Sequence, residues 1–140
     1  MDYELTFEKF PTFISATVTG TNSMAVLVAY WDDILRECHA QDCFSVLVEE
    51  KLEGPRFDLM EVFSLIAEGS LKVLGQFEAI AYVDEKMGEM GQFAETVAVN
   101  RGVPVAFFSD IGAAKDWLSR RPPGSDAYDI FRGRDTDGDN

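Results

Sequence analysis

The chain has 140 residues, about the size of one domain, and 46% of them are hydrophobic, which excludes disorder of the whole chain. Its formal net charge is -13, from 12 basic and 25 acidic side chains, so nucleic acids and anionic membrane surfaces, which attract basic patches, are poor partners. Two Cys and one His are too few for a Cys and His metal cage or a histidine-based active site, and we expect no cofactor and no metal.

The first two predicted elements form an antiparallel hairpin. In residues 3–9, Tyr3, Leu5 and Phe7 alternate with polar side chains, which is the pattern of a half-buried strand. The alternation resumes over residues 13–19, after a turn that contains proline, and a glycine ends it.

A long amphipathic helix follows, from the capping residues 21–23 to about residue 40. Its inward positions have helical spacing: Leu27, Tyr30 or Trp31, Ile34, Leu35 and Cys38. Residues 24–31 are apolar all around the helix, which is more than one buried face requires. Either a neighbouring helix covers the excess, or it forms a homodimer or ligand surface with Tyr30 and Trp31 as anchors.

Three more strands then alternate with three more helices. The predicted strands occupy residues 44–48, 77–83 and 103–108, and the helices occupy residues 59–75, 85–100 and 110–118. Asp58 is the predicted N-cap of the second helix, whose inward residues are Leu59, Val62, Phe63, Ile66 and Val73, and Pro104 places the last strand at or near an edge. The order β-β-α-β-α-β-α-β-α predicts an α/β fold with a mixed, mostly parallel five-stranded sheet.

The third predicted helix has an unusual composition. Met87, Met90 and Phe93 form an apolar stripe, and Gly88 and Gly91 each lower helix stability by about 1 kcal/mol relative to Ala. Because Met adapts to varied apolar surfaces, one hypothesis is a mobile helix that covers an apolar pocket. The alternative is that the stripe packs on the sheet while the glycines allow a close approach.

Acidic side chains gather where three predicted strands end: Glu49, Glu50 and Glu53, then Asp84, Glu85 and Glu89, then Asp110. We interpret them as a solvated rim, with Glu49 and Glu50 at the exposed end of their strand. Ligands of open α/β sheets bind at this edge, so a site for a hard cation such as Mg²⁺ is the alternative.

The single His and the two Cys offer little catalytic chemistry. His39 is expected to interact with the dipole at the end of its helix, with a role as a base the alternative. Cys38 and Cys43 match neither a redox pair nor a zinc knuckle, which favours two reduced thiols over a regulatory disulfide. The sequence shows no secretory signal and no segment of about 20 apolar residues, and we expect a cytoplasmic protein without a transmembrane segment.

The folded domain is predicted to cover residues 1–119, and residues 120–140 form a polar tail that begins at Pro122-Pro123-Gly124. Three apolar side chains could anchor the tail: Tyr128, Ile130 and Phe131. Its Asp-rich end lacks the downstream Glu of a calcium loop, so we do not expect calcium binding.

Five segments of residues 1–119 carry a family resemblance: Val46-Leu47-Val48, Phe57-Asp58-Leu59, Phe77-Glu78-Ala79-Ile80-Ala81-Tyr82-Val83-Asp84, Val105-Ala106-Phe107-Phe108 and Ala114-Lys115-Asp116-Trp117-Leu118. In pattern and spacing the chain resembles the SpoIIAA-like proteins of the STAS fold group. STAS domains include anti-sigma-factor antagonists whose switch is a phosphorylated serine at the start of the helix after the central strand. Residues 49–59 contain no Ser or Thr, Asp58 occupies the cap and Ser64 comes more than a turn later, so that switch is not expected here.

The SpoIIAA-like subgroup generally lacks that serine. Its fold is similar to lipid-carrying CRAL-TRIO domains, which implies association with a hydrophobic ligand or a membrane. We therefore expect a non-enzymatic domain that binds a protein partner, an apolar small molecule or a lipid, with at most weak peripheral membrane contact. The expected surface consists of Tyr30, Trp31, Met87, Met90 and Phe93.

Two alternatives remain. One is a homodimeric regulatory interaction module of the anti-sigma-factor-antagonist type that lacks the phosphorylatable serine. The other is a small enzyme that uses the strand-end carboxylates, with Glu49, Asp84 or Glu85 as candidate metal ligands.

Overall fold

The computed structural model describes residues 3–86 and 88–120. The elements in chain order are β1 Tyr3–Lys9, β2 Ile14–Thr21, α1 Met24–Gln41, β3 Ser45–Glu53, α2 Leu59–Val73, β4 Ala79–Val83, α3 Glu89–Asn100, β5 Val105–Phe108 and α4 Ile111–Ser119. The described residues therefore have the predicted order of elements, and the α/β class with a five-stranded mixed sheet is confirmed.

The sheet has the strand order β1-β2-β3-β4-β5, so neighbours in the sheet are also neighbours in the sequence. Strand β1 is antiparallel to β2, whereas β2, β3, β4 and β5 run parallel. Strand β5 is an edge strand, as the proline at its start predicted. Successive right-handed crossovers that move in one direction across a sheet place their helices on one face, here α1, α2 and α3.

Side-chain caps fix where three of the helices begin. The Ser23 hydroxyl accepts a hydrogen bond from the Val26 amide at 3.1 Å, and Asp110 caps α4 in the same way. Asp58 and Glu61 form a reciprocal capping box at the start of α2. The predicted capping role of Asp58 is therefore confirmed.

The larger core cluster lies between the sheet and α1, α2 and α3. Alternate residues of β2, β3 and β4 point to this side, and α1 contributes five buried residues: Val26, Leu27, Tyr30, Ile34 and Cys38. Helix α2 contributes only the half-buried Leu65, Ile66 and Val73 to this cluster. Its packing on the sheet is therefore much looser than that of α1.

The smaller core cluster lies on the opposite face of the sheet, under α4. Its buried members are Phe13, Leu47, Ala79, Ala81, Val83, Ala114 and Leu118. Because the alanines of β4 have small side chains, α4 can approach the strands closely, and Ala79, Ala81 and Ala114 are at most 1% exposed.

The β5 edge of the sheet has a side-chain partner. Glu95, on α3, accepts a hydrogen bond from the backbone N–H of Phe107 on β5, with a donor–acceptor distance of 2.7 Å. This bond ties α3 to the edge strand and satisfies one of its backbone donors.

Three predictions about local structure were wrong. The third helix begins at Glu89, and Gly88 is its N-cap with a φ of 57°, a conformation that favours glycine, so this residue does not weaken the helix interior. Strand β3 continues to Glu53, which buries the Glu50 side chain. Leu59 and Phe63, expected to point inward from α2, are 52% and 38% exposed.

Within the described ranges, no helix is both long enough and apolar enough to cross a bilayer. The predicted tail lies outside these ranges from residue 121 onward, together with its apolar anchor and its Asp-rich end.

Candidate functional site

Two neighbouring cavities lie between α1 and α2 on the same face of the sheet. The larger has a volume of about 360 Å³ and is mostly apolar, and we call it the apolar cavity. The smaller, of about 120 Å³, is lined by several polar side chains, and we call it the polar cavity. Leu27, Leu65 and Tyr82 line both, so the two cavities share a wall.

The apolar cavity is lined by residues of the sheet and of the helices on one of its faces. Helix α1 contributes Trp31, α2 contributes Ile66 and Gly69, and the sheet contributes Ile80 and Phe107. Trp31 has three aromatic neighbours, since its ring centroid lies 5.8, 5.9 and 6.5 Å from those of Tyr30, Phe77 and Tyr82. These contacts hold the indole in place at the cavity wall.

The cavity exists because α2 presents little bulk to the sheet. Of its residues, only Val62 and Ser70 are buried. Gly69 lines the cavity without a side chain, and a β-carbon added there would meet no heavy atom within 4 Å. The space between α1 and α2 is therefore not filled by the protein's own side chains.

Glu50 is the central group of the polar cavity. It is only 7% exposed, and its Oε2 accepts a hydrogen bond of 2.6 Å from the hydroxyl of Tyr30, which is fully buried. The hydroxyl of Tyr82 lies 3.3 Å from that of Tyr30. A carboxyl group on β3 is thus joined to one phenol from α1 and one from β4.

Burial raises the pKa of the Glu50 carboxyl to about 7. Hydrogen bonds from Tyr30 and Tyr82 favour the charged form, but they do not offset the loss of hydration, and the neighbouring Asp84 raises the pKa further. Burial and the proximity of Glu50 in turn raise the pKa of both tyrosines. Glu50 therefore changes its charge near neutral pH.

Asp84 follows β4 and is 4% exposed. Its Oδ2 accepts from the Arg56 guanidinium at 2.7 Å, and its Oδ1 accepts from the backbone N–H of Lys86 at 3.0 Å. The Lys86 ammonium lies 3.0 Å from the Glu53 carboxylate. These bonds connect the segment before α2 to the turn after β4, next to the polar cavity.

Another hydrogen bond fixes the loop before α2. The Asn22 side chain, 8% exposed, donates to the carbonyl oxygen of Pro55 at 2.6 Å, and the Asn22 backbone N–H donates to Glu53. Asn22 also lines the polar cavity. Polar contacts thus hold the loop that leads into α2.

The five residues expected to form the surface have different positions. Trp31 lines the apolar cavity, and Met90 lines the polar cavity. Tyr30 is 0% exposed, so the prediction that it anchors a surface was wrong, because the ring is needed to cover Glu50. Phe93 is half-buried and is not among the residues that line either cavity, and Met87 lies outside the described residues.

Sequence reasoning placed Glu50 at an exposed strand end and missed its role. The signal was present, because Val48, Glu50 and Leu52 alternate with polar residues and all three are buried. A strand that ends at Val48 leaves Glu50 in water, whereas one that continues to Glu53 points it to the core.

The remaining acidic residues do not assemble into a metal site in the described part of the chain, where no group of three or more potential ligands occurs. Glu49 is half-buried and lies 3.6 Å from the Lys51 ammonium, and Glu85 is exposed. Cys38 and Cys43 are free thiols, and burial raises the pKa of Cys38 to about 12. His39 is in the last turn of α1 and contacts the Phe44 ring.

The outer side of α2 is apolar and exposed. Leu59 is 52% exposed, Met60 69%, Phe63 38% and Leu71 81%. With about 3.6 residues per turn, these four positions fall within about one third of the helix circumference. We call these four residues the outer stripe of α2.

Comparison with known proteins gives no family assignment. No protein-family model matches the chain, and no curated protein matches it significantly.

Proposed function

We propose that this protein binds an apolar small molecule or lipid in the apolar cavity, as a binding domain and not as an enzyme. The observation that carries the proposal is the cavity of about 360 Å³ between α1 and α2, with walls of aromatic and aliphatic side chains. Pockets that bind small molecules commonly have volumes of about 300 to 1,000 Å³ and mostly apolar walls. A ligand there would remove that apolar surface from water.

The movable element in this proposal is α2, and not the Met- and Gly-containing helix α3. Helix α3 buries Gly91, Ala94, Val97 and Ala98, and it is tied to β5 by Glu95. Helix α2 buries only Val62 and Ser70. Because local opening is easiest where few apolar contacts are lost, a ligand would gain access by displacing α2.

The resemblance to SpoIIAA-like proteins agrees with this proposal. In that group the fold is similar to lipid-carrying CRAL-TRIO domains, so a hydrophobic ligand is the function the resemblance implies. We propose membership of that group on the hydrophobic pattern of residues 1–119.

The experiment compares two substitutions at Gly69. Gly69→Phe places a ring in the cavity, whereas Gly69→Ala adds one methyl group to the same helix position. Binding of 1-dodecanol is followed through the fluorescence of Trp31, in a Trp117→Phe background that leaves Trp31 as the single tryptophan. We expect Gly69→Phe to weaken binding at least about tenfold by filling the space, and Gly69→Ala to bind like the parent protein.

Native mass spectrometry of the freshly purified protein adds an independent measurement. A mass above 15.6 kDa that disappears in Gly69→Phe identifies a ligand acquired during expression. A bare chain combined with equal or absent dodecanol binding in the parent and in Gly69→Phe would contradict the proposal.

A second candidate is a homodimeric interaction module, which the outer stripe of α2 favours. Its exposed apolar side chains include Met60, at 69% exposure, and Leu71, at 81%. The double variant Met60→Glu/Leu71→Glu should convert a dimer of about twice 15.6 kDa into a monomer in light scattering. A parent protein that is monomeric at all concentrations would contradict this candidate. If the parent instead binds neutral vesicles, the outer stripe of α2 would be a surface for weak peripheral membrane contact.

A further inference from the structure

We propose that the polar cavity receives the ammonium group of a cationic amphiphile whose hydrocarbon part lies in the apolar cavity. This inference rests on the proposed function, because the apolar cavity must first accept the hydrocarbon part. It goes beyond that function by naming the chemistry of the ligand's polar end.

The two cavities adjoin, because three side chains line both. Tyr82, Leu27 and Leu65 form the shared wall, with Trp31 on the apolar side and Glu50 on the polar side. A ligand that reaches from one cavity into the other contacts apolar side chains at one end and a carboxyl group at the other.

The charges around the polar cavity are unequal. Three carboxyl groups, those of Glu50, Glu53 and Asp84, stand against two cations, those of Arg56 and Lys86. Arg56 is paired with Asp84 at 2.7 Å and Lys86 with Glu53 at 3.0 Å. Among the described residues, Glu50 is in no salt bridge and is held by neutral tyrosine hydroxyls. The carboxyl group that is in no salt bridge among the described residues therefore lines the cavity, and it interacts electrostatically with Arg56.

An anionic polar end fits this arrangement poorly. A bound anion would compete with Asp84, whose side chain is 3% exposed, for the Arg56 guanidinium. The new anion would also lie next to Glu50. An ammonium group instead completes the charge balance, and the aromatic ring of Tyr82 in the shared wall favours a cation over an anion.

Protonation of Glu50 makes the preference depend on pH. The groups that face Glu50 are Tyr30 from α1, Tyr82 from β4, Asp84 directly after β4, and Arg56 from the loop before α2. Below about pH 7 the carboxyl group holds its proton and is neutral, and above about pH 7 it is negatively charged. The preference for an ammonium group should therefore increase as the pH rises through 7.

The experiment uses three amphiphiles with the same hydrocarbon chain: dodecylamine, 1-dodecanol and dodecanoate. Each is titrated below its aggregation concentration into the full chain with Trp117→Phe, and Trp31 fluorescence reports binding. At pH 8 we expect dodecylamine, which is then protonated, to bind about tenfold more tightly than dodecanol, with dodecanoate the weakest, since a charged hydrogen-bond partner adds about this much. At pH 6 the difference between the amine and the alcohol should shrink.

Two matched variants separate the site from general attraction to an acidic protein. Glu50→Gln keeps an acceptor for Tyr30 but removes the charge, and Glu8→Gln removes one exposed charge from β1. Both change the net charge by one unit. Only Glu50→Gln should abolish the preference for dodecylamine over dodecanol.

Each outcome is decisive. Equal affinities for the amine and the alcohol at pH 8, a preference for dodecanoate, or the same loss in Glu8→Gln would overturn the cationic polar end and leave the proposed function intact. If none of the three amphiphiles binds, the proposed function fails and this inference with it. Asp84→Asn provides a further control, since release of Arg56 should shift the preference toward dodecanoate.

Discussion

Helices α1 and α2 cover the same face of the sheet, yet they differ in how they are held. Helix α1 buries five residues and places Tyr30, fully enclosed, over the Glu50 carboxyl group. Helix α2 buries two residues, exposes an apolar stripe and leaves a cavity of about 360 Å³ beneath it. Helix α1 is therefore packed as part of the core, whereas α2 carries apolar side chains that the fold itself does not bury.

Truncation of one side chain in each helix tests how firmly α1 and α2 are packed. Ile34→Ala in α1 should lower the free energy of unfolding by about 2 to 5 kcal/mol, because the side chain is 0% exposed and leaves a void. Leu65→Ala in α2 should cost less than about 1 kcal/mol, because this half-buried residue already borders both cavities. Urea denaturation of both variants measures the difference. Equal costs would show that α2 is packed as firmly as α1.

The second prediction concerns how the free energy of unfolding depends on pH. The pKa of Glu50 is about 7 in the folded chain and 4.5 in the reference state, so the folded chain binds the proton more tightly. Stability should therefore fall as the pH rises from about 5 to 7.5, by roughly 3 kcal/mol for a shift of this size. Glu50→Gln should flatten the curve, as measured by urea midpoints across this range.

Asp33 should not contribute to the dependence of stability on pH in this range. Its pKa is lowered by the hydrogen bond from Tyr3, so its contribution is lost only as the pH falls below the ordinary range of a carboxyl group. A slope in Glu50→Gln equal to that of the parent would show that Glu50 is not the group that titrates.

A substitution at Gly69 tests how closely α2 approaches the sheet. Gly69→Ala should stabilise the protein by about 0.5 to 1 kcal/mol, since alanine favours the helix and the added methyl group meets open space. Thermal unfolding checks the sign. A destabilised Gly69→Ala would mean that α2 lies closer to the sheet than the cavity implies.

The order and type of the elements could be predicted from the sequence, because alternation, helical spacing and capping residues are local signals. Asp58 at the start of α2 and Pro104 before the edge strand are examples. The candidate site could be predicted only in part, since Trp31 and Met90 line the cavities but Tyr30 is buried. The local pattern could not show that Tyr30 belongs to the core and Trp31 to the cavity wall. Adjacent positions of a helix point about 100° apart, and either aromatic residue fits the apolar spacing.

For Glu50, the alternation along β3 indicates the buried side but not the partners that make burial of a carboxyl group possible. Acidic side chains at strand ends are usually exposed, and only the longer strand and the phenols from α1 and β4 make its burial tolerable. The exposure of the outer stripe of α2 likewise depends on the rotation of this helix relative to α3. Apolar residues surround most of α2, so their spacing does not indicate which of them face the sheet.

The bond between Glu95 and the Phe107 amide has a consequence for self-association. A four-residue edge strand whose backbone donor is already occupied by a side chain is a poor template for a strand from another molecule. Extension of the sheet at the β5 edge is therefore disfavoured. A Glu95→Ala protein should become more prone to form fibres on storage at high concentration, and dye-binding assays for cross-β structure would reveal it.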